Sequence, residues 1–496
     1  MRVGRRLVCG WFVLVGFCLP GHASAVAVTE PLLPRAAACF APGTRPEVIE
    51  AFAARLAPSS PTSSLQVSPD MGPPAFTFND VDRWSQTATN PCCLTQGDPT
   101  TITWSIVPDG TPIPGYNAEP GDPSNLRAFL NAIYGNQGVW LPIFQQVFDR
   151  WGQLTGVTYV YEPNDDGAAW TSGSPSTPGQ IGVRGDVRIG GHYIDGNSNI
   201  LAYNFYPQSG EMVIDTGDNF YTNTATNSLR LRNVLAHEHG HGLGLRHVCP
   251  VSQTKLMEPF LSVSFDGPQH DDILATNRGY GDDNEGNDTA GAATALGAIS
   301  GPAQVTSVSI DDNSDGDFLS FTAAPGTLLD VTLSPVGATY LSGSQNMGGS
   351  CSAGTNFNSL IQNNLGVQVL ASDGSSVLAM STSSPIGVAE SVNDVDLGSG
   401  GTFFVNVIPG FESAAQLYQL SLNVQPFCTT PNQSLSAQTV SSFLTVIGCS
   451  ITAGNGYVVA GSGNVTFSAK TFIALTDGFR VSTGGIFTAE MDPLIP

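Results

Sequence analysis

Asn233 to Pro250 reads NVLAHEHGHGLGLRHVCP and gathers four of the chain's seven histidines into eleven residues. On a helix, His237 and His241 lie four residues apart, so one turn brings both imidazoles to the same face, where they can share a metal ion. Glu238 then sits beside that metal without ligating it. Gly244 has the backbone freedom to end the helix sharply, so the chain can turn back and bring in His247 as a third nitrogen ligand. Three imidazoles leave a fourth position for water, which describes a catalytic zinc; a structural zinc closes all four positions with cysteine or histidine. Zinc lowers the pKa of its bound water from about 16 towards about 7. Glu238 is the carboxylate placed to take the proton and later return it to a leaving amine. A bare HExxH arises readily by accident in a histidine-rich core helix, whereas HExxHxxGxxH fixes five residues over eleven and does not. His239 faces away from the pair and is expected either to be solvated or to brace the ligands from behind.

These residues resemble those of the metzincin zinc peptidases, most closely the matrixins. The matrixin motif HExGHxLGLxH is matched at His237, Glu238, Gly240, His241, Leu243, Gly244, Leu245 and His247. Leu256-Met257-Glu258-Pro259 is similar to the LMxP Met-turn, and the resemblance implies that Met257 supports the zinc from below. Asp271 to Leu274, leading to Arg278-Gly279-Tyr280-Gly281, resembles the closing helix of that domain. Leu201 to Pro207, LAYNFYP, resembles the edge strand LAHAFYP, which in the family bounds the cleft and pairs main chain to main chain with an extended substrate. The chain departs from the pattern at Tyr203, where the family has a histidine for a second, structural zinc. Met212-Val213-Ile214 also lacks the matching histidine, and His192 alone cannot hold that metal, so one zinc is expected. Ile214 to Asp218 resembles the acidic calcium loop of matrixins, with Asp215 and Asp218 as oxygen ligands for a hard cation. A solvated Asp/Gly turn is the equal alternative.

Composition sets the wider frame. A chain of 496 residues holds several domains, because single cores seldom grow beyond about 250 to 300 residues. Only 12% of residues are charged, and Gly 56 with Pro 34 indicates a β-rich chain with many turns. The formal charge of -23 becomes -26 once the three arginines of the leader are removed, leaving 15 basic against 41 acidic residues. Nucleic acid and anionic membrane both demand a basic face and are excluded as partners. Residues 1–25 read as a secretory signal: Arg2, Arg5 and Arg6, then the apolar run Leu7 to Leu19, then an Ala23-Ser24-Ala25 cleavage site. Phe17 is too bulky for a lipobox before Cys18, and no stretch is long enough for a membrane span. The mature protein is therefore expected to be secreted and soluble.

Nine cysteines become seven when Cys9 and Cys18 leave with the signal, so at least one thiol is unpaired. Cys428 and Cys449 can close a loop in the last domain, and Cys92, Cys93 and Cys249 can supply a bridge to the zinc helix. Cys39 follows Pro34-Arg35 loosely, as does the cysteine with which many matrixin pro-segments block the zinc. Its spacing departs from the family's PRCG, and an ordinary disulfide is the leading expectation.

The expected fold is an α+β metzincin-like catalytic domain, a mixed twisted sheet with long helices, followed by all-β domains: a β-sandwich, then β-solenoid repeats. The expected boundaries are a signal peptide at 1–25, a propeptide or linker at 26–95, the peptidase domain at 96–281, the sandwich at 282–425 and the repeats at 426–496. In the pro-segment, Pro46 to Leu56 reads as helical. A strand is expected at Thr101 to Val107. Leu141, Phe144, Val147, Phe148 and Trp151 recur at helical spacing, and strands follow at Val157 to Tyr161, Asp186 to Ile189 and Asn199 to Tyr206. Thr226 or Asn227 is placed to cap the zinc helix. From Asn287 to Val424, Leu329, Val331 and Leu333 alternate with polar residues, as do Phe403, Val405 and Val407, and Asp373-Gly374 marks a hairpin. Asn287-Asp288-Thr289, Ile310 to Asn313 and YQLSL resemble the bacterial pre-peptidase C-terminal domain, whose acidic loop at Asp311 to Asp317 either binds calcium or faces water. Phe467-Ser468-Ala469 and Phe487-Thr488-Ala489 recur at twenty residues, as stacked short strands would. The function implied is a secreted zinc endopeptidase acting on protein or peptide substrates, with β-domains available to bind substrate or a surface. The alternative is a surface adhesin or binding protein with a degenerate peptidase domain, against which the intact Glu238 weighs.

Overall fold

A computed structural model describes residues 36–56, 83–116, 119–170, 178–346, 348–428, 430–492 and 495. The proposed signal peptide, and Pro34 and Arg35, lie outside the described residues. A six-stranded mixed sheet forms the first unit. In spatial order it runs Ala36–Phe40, Ile200–Phe205, Met212–Asp215, Val187–His192, Thr100–Ile106 and Val157–Tyr161. The last four are parallel, Ile200–Phe205 runs antiparallel beside them, and Ala36–Phe40 is antiparallel to Ile200–Phe205.

The helices are α1 (Pro46–Leu56), α2 (Leu126–Tyr134), α3 (Gln137–Gly152), α4 (Ala225–Gly242) and α5 (His270–Tyr280). In α3 the apolar residues at helical spacing, Phe144, Val147, Phe148 and Trp151, are all buried. Phe148 stacks on Trp104 of the central strand with ring centroids 4.4 Å apart. Burying each such side chain contributes roughly 1.5–3 kcal/mol, so this stripe fixes α3 on the sheet. The right-handed part of α4 begins only after Ser228, because Thr226, Asn227 and Ser228 have φ between 52° and 56°. Neither Thr226 nor Asn227 therefore caps the helix as the sequence suggested; Thr224 precedes it, without a side-chain cap.

Beyond Gly281 the chain is all β. A five-stranded and a four-stranded sheet enclose a core that includes Leu329, Val331, Leu333, Val405 and Val407, matching the alternation read from sequence. Gly366–Leu370 and Val377–Ser381 pair antiparallel around Asp373-Gly374, the expected hairpin. A second hairpin, Thr339–Ser344 with Thr355–Asn358, leaves the sandwich and pairs Gly343 and Ser344 with Cys249 and Val248 of the first unit. In the last segment the strands Phe443–Ala453, Asn464–Leu475 and Ile486–Met491 stack in parallel. Asn464 pairs with Ile486, a spacing of 22 residues, and Phe467 pairs with Ala489 rather than with Phe487. The twenty-residue match in sequence is thus not the structural step. Instead, Phe467 and Phe487 meet diagonally on one face, with centroids 5.0 Å apart.

The cysteine pairing differs from the expectation at two places. Cys428 bonds Cys449 as expected, but Cys249 bonds Cys351 of the second hairpin, while Cys92 and Cys93 are exposed and unpaired. Cys39 is also unpaired, and it is fully buried, so the ordinary disulfide expected for it is not formed. Among the described residues no helix is long and apolar enough to cross a membrane.

Candidate metal centre

The centre is built at the C-terminal end of α4. Leu243 N–H donates to His239 O at 2.8 Å and Leu245 N–H to Gly240 O at 2.9 Å, closing the helix through Gly244, whose φ is +102°. A side chain at Gly244 would be strained in that conformation. The turn returns the chain so that His247 faces His237 and His241.

The three Nε2 atoms converge. His237 and His241 are 3.0 Å apart, and His247 is 3.2 Å from each. Each Nδ1–H has its own acceptor: Leu256 O at 2.7 Å for His237, Leu245 O at 2.7 Å for His241, and Gln345 Oε1 at 2.8 Å for His247. With Nδ1 protonated, each Nε2 presents a lone pair, and three lone pairs aimed at one point repel unless a cation sits between them. Ligands about 2.0–2.1 Å from a tetrahedral zinc would stand roughly 3.3 Å apart, close to the spacing seen, so these residues fit the metal. Burial holds the imidazoles neutral: His237 is pushed down to about 3, by burial first and then His247, and His247 to about 4. His241 falls well below the ordinary value for the same reasons.

Glu238 is fully buried between this trio and the strand Ala36–Phe40. Its Oε1 accepts the Cys39 N–H at 2.8 Å, and its Oε2 is buried with no hydrogen-bond partner. Burial raises its pKa well above the ordinary range, with the Cys39 amide pulling the other way. A base that shares its site with a hydrated cation would have a partner for that second oxygen; the orphan atom is a further sign of what the site is shaped to hold.

Met257 lies beneath the helix: a Cβ added at Gly240 would come within 2.4 Å of its Sδ. The Met-turn is pinned by α5, since Asp272 accepts the N–H groups of Leu256 and Met257 at 2.9 and 3.1 Å. Glu258 folds the preceding loop by accepting N–H groups from Ser252, Gln253, Thr254 and Lys255. His239 is neither solvated nor near the other imidazoles' convergence; it is buried among Phe148, Trp151 and Tyr159, with Nε2 2.7 Å from Tyr159 Oη. Burial pushes it down to about 3, so it is a neutral core residue.

The residues read as a calcium loop are engaged with the main chain. Asp215 accepts N–H groups from Ile194, Asp195, Gly196 and Gly217, and Asp218 from Ser198 and Phe220. Asp195 stands beside them and is raised to about 7, by burial first and then by these two carboxylates. Tyr203 is buried and its hydroxyl donates to Glu119 Oε1 at 3.1 Å, while His192 Nε2 is 3.8 Å from the same oxygen. A second acidic group lies where the first unit meets the sandwich: Glu285, Asp288 and Asp315 offer oxygens within 4.8 Å of one another. Asp317, 1% exposed, and Asp315 each leave Oδ1 buried without a partner there. Burial, then the neighbouring carboxylates, raises Glu285 to about 9 and Asp315 to about 11.

Two contributors escaped the sequence reading. Gln345 comes from the second hairpin of the sandwich, 98 residues after His247, and its own amide is oriented by donating to Gly349 O at 2.8 Å. The strand Ala36–Phe40 pairs with Ile200–Phe205 and forms the edge of the sheet beside Glu238. The only sequence sign of that strand was Cys39.

Residues 177–281, which contain every residue of the centre except Gln345 and Cys39, match the family model described as Matrixin. The match and the imidazole trio support a metzincin-like domain and a zinc metallopeptidase kind of function. No curated protein matches the chain.

Proposed function

We propose that the protein is a secreted zinc endopeptidase in which His237, His241 and His247 hold one catalytic zinc and Glu238 is the general base and acid. The observation that carries this is the convergence of three Nε2 lone pairs, 3.0–3.2 Å apart, beside a buried carboxylate with a free oxygen. A zinc bound there supplies Lewis acidity: it acidifies a water and polarises the carbonyl to be cut. Everything else is done by the chain. The Leu256, Leu245 and Gln345 oxygens hold the imidazoles in the ligating tautomer. Glu238 takes a proton from the attacking water and returns it to the leaving nitrogen, and its buried, high-pKa setting favours holding that proton between the two transfers. Met257 fills the space under Gly240 and keeps the helix from settling. Glu238→Ala is expected to abolish cleavage of casein while leaving one zinc per chain by metal analysis; undiminished cleavage in that variant would refute the assignment. The intact Glu238 beside the three imidazoles weighs against a binding protein with a degenerate domain.

Two finer readings accompany it. The cluster of Glu285, Asp288 and Asp315 is the better calcium candidate, because Asp315 and Asp317 oxygens there lack partners, whereas Asp215 and Asp218 are engaged with main-chain N–H groups. Calcium is expected to raise the melting temperature of wild type by several degrees and that of Asp315→Asn by less; equal shifts would sink this reading. The enclosed two-sheet core beyond Gly281 supports a pre-peptidase C-terminal-like module, and the parallel stacked strands that follow support a β-solenoid.

A further inference from the structure

The tip of the second hairpin reaches the imidazole trio from two arms at once. Gln345 and Cys351 are cross-strand partners, joined by an antiparallel bridge. From one arm, Gln345 Oε1 accepts the His247 Nδ1–H at 2.8 Å. From the other, Cys351 is bonded to Cys249, two residues beyond that histidine. The turn between them is stiffened from within: Gln345 Nε2 donates to Gly349 O, and Asn346 N–H to Ser350 O, each at 2.8 Å. Whatever fixes Cys351 therefore fixes Gln345 as well.

The foot of the hairpin is held separately. Tyr340 Oη donates to Asp271 Oδ1 at 2.5 Å, and Ser359 Oγ is 2.8 Å from His270 Nε2, so α5 secures both arms where they leave the sandwich. The tip meets the first unit through the pairing of Gly343 and Ser344 with Cys249 and Val248, through Gly349 against Ile49 of α1, and through the disulfide. The bond from His247 to Gln345 is a neutral one at a partly exposed side chain, the kind that water readily replaces. A covalent tie beside it keeps the amide at high effective concentration over the imidazole.

We propose that the Cys249–Cys351 bond is a positioning element of the metal centre, acting through Gln345 on His247, and that it makes zinc retention sensitive to small-molecule dithiols. The inference rests on the zinc-binding part of the reading above. Cys249 is fully buried, whereas Cys351 is partly exposed, so an incoming thiolate meets the Cys351 sulfur. It forms a mixed disulfide there as the S–S bond breaks, and Cys249 leaves as a thiolate that takes up a proton. The second thiol of the reagent then closes the reagent's own disulfide and frees Cys351 as a thiol. Two electrons and two protons have passed from the dithiol to the protein. With the bond open, the foot stays on α5 while the tip moves, and His247 loses the acceptor that holds it in the ligating tautomer.

The test uses the full chain with Cys249→Ser and Cys351→Ser together, and reads zinc affinity by competition with a chromophoric chelator. The dissociation constant is expected to rise at least fivefold, and amide exchange to quicken at residues 343–351 but not around Tyr340. Adding Gln345→Leu to this variant is expected to weaken zinc by less than a further twofold, because both changes remove the same contact. Independent, multiplying effects would overturn the proposal, as would wild-type affinity in the serine variant. Cys428→Ser with Cys449→Ser is expected to bind zinc as wild type does; an equal loss there would show a general effect of losing a disulfide and overturn it too. Should the first serine variant fail to fold, the second, opened at Cys249–Cys351 by a water-soluble phosphine and checked by peptide mapping, carries the same measurement. Casein digestion judges the peptidase separately. The expected zinc pattern in a protein that cleaves nothing would leave the positioning role standing and sink the peptidase; cleavage by a protein whose zinc affinity ignores the bond would do the reverse.

Discussion

Replacing Gln345 with leucine removes the acceptor of the His247 Nδ1–H and little else, since the side chain is only partly buried and its other bond, to Gly349 O, lies within its own loop. His247 is 8% exposed, so the freed N–H has little access to water. A buried donor left unpaired costs about 1–3 kcal/mol. Loss of such a ligand-orienting partner ordinarily weakens metal binding by about 10- to 100-fold, or about 1.4–2.8 kcal/mol, so two independent routes give the same size. We expect the zinc dissociation constant of Gln345→Leu, measured by competition with a chromophoric chelator, to rise within that range, with kcat/KM falling in parallel at limiting zinc. Gln345→Glu keeps an oxygen at the same reach and makes it a stronger acceptor, so its zinc affinity is expected to equal or exceed that of wild type. A purely structural role for the hairpin predicts the opposite pattern, with both variants impaired alike and melting temperature tracking affinity. Wild-type zinc affinity in Gln345→Leu would refute the reasoning outright.

Other parts of the scaffold give sharper tests of packing and charge. Gly240→Ala places a Cβ 2.4 Å from Met257 Sδ and 3.0 Å from its Cε, an overpacking expected to cost about 1–3 kcal/mol. Chemical denaturation measures this, and adding Met257→Ala is expected to make the double variant less destabilised than the sum of the singles. Asp271 and Asp272 are raised to about 7 and about 6 by burial in α5, from an ordinary value near 3.8. A carboxyl whose folded pKa is raised favours the folded state fully below its unfolded pKa, and that contribution is lost as pH rises through the folded value. Asp271 faces Asp272, Tyr340, Lys255 and Glu258. Asp271→Asn, which can still accept the Tyr340 hydroxyl, is therefore expected to gain melting temperature relative to wild type between pH 5 and pH 8; a constant difference across that window would contradict the assignment.

Much of the first unit was legible because its elements are set by local periodicity. Phe144, Val147, Phe148 and Trp151 face one way on any helix, and that face is buried in the core shared by the sheet and α4. The spacing of the imidazole trio was legible for a similar reason: helical geometry determines where residues four apart point, and Gly244, with its positive φ, permits the return. Asp373-Gly374 likewise carries its own hairpin instruction. Where a choice depended on distant partners, local reading failed. Cys249 had several candidate partners, and only the hairpin at Gly343 and Ser344 brings Cys351 within reach, 102 residues away. His239 pointed away from the ligand pair as expected, but whether that direction meant water or core depended on Phe148 and Tyr159, which sequence spacing does not place.

The three imidazoles differ in one respect that explains what the sequence concealed. His237 and His241 are held by the carbonyl oxygens of Leu256 and Leu245, main-chain atoms that any residue would provide once the loop is closed. His247 lies beyond the turn, and its Nδ1–H goes to a side chain borrowed from the sandwich. A main-chain acceptor leaves no trace in residue identity, and a borrowed amide leaves only a glutamine among polar loop residues. Because the Cys249–Cys351 bond anchors the same hairpin beside His247, the lending domain is fastened at the place where its contribution is needed. The boundary near Gly281 that composition suggests is therefore a boundary of chain and not of the imidazole trio: the first unit supplies three converging imidazoles, but the orientation of the third belongs to the sandwich.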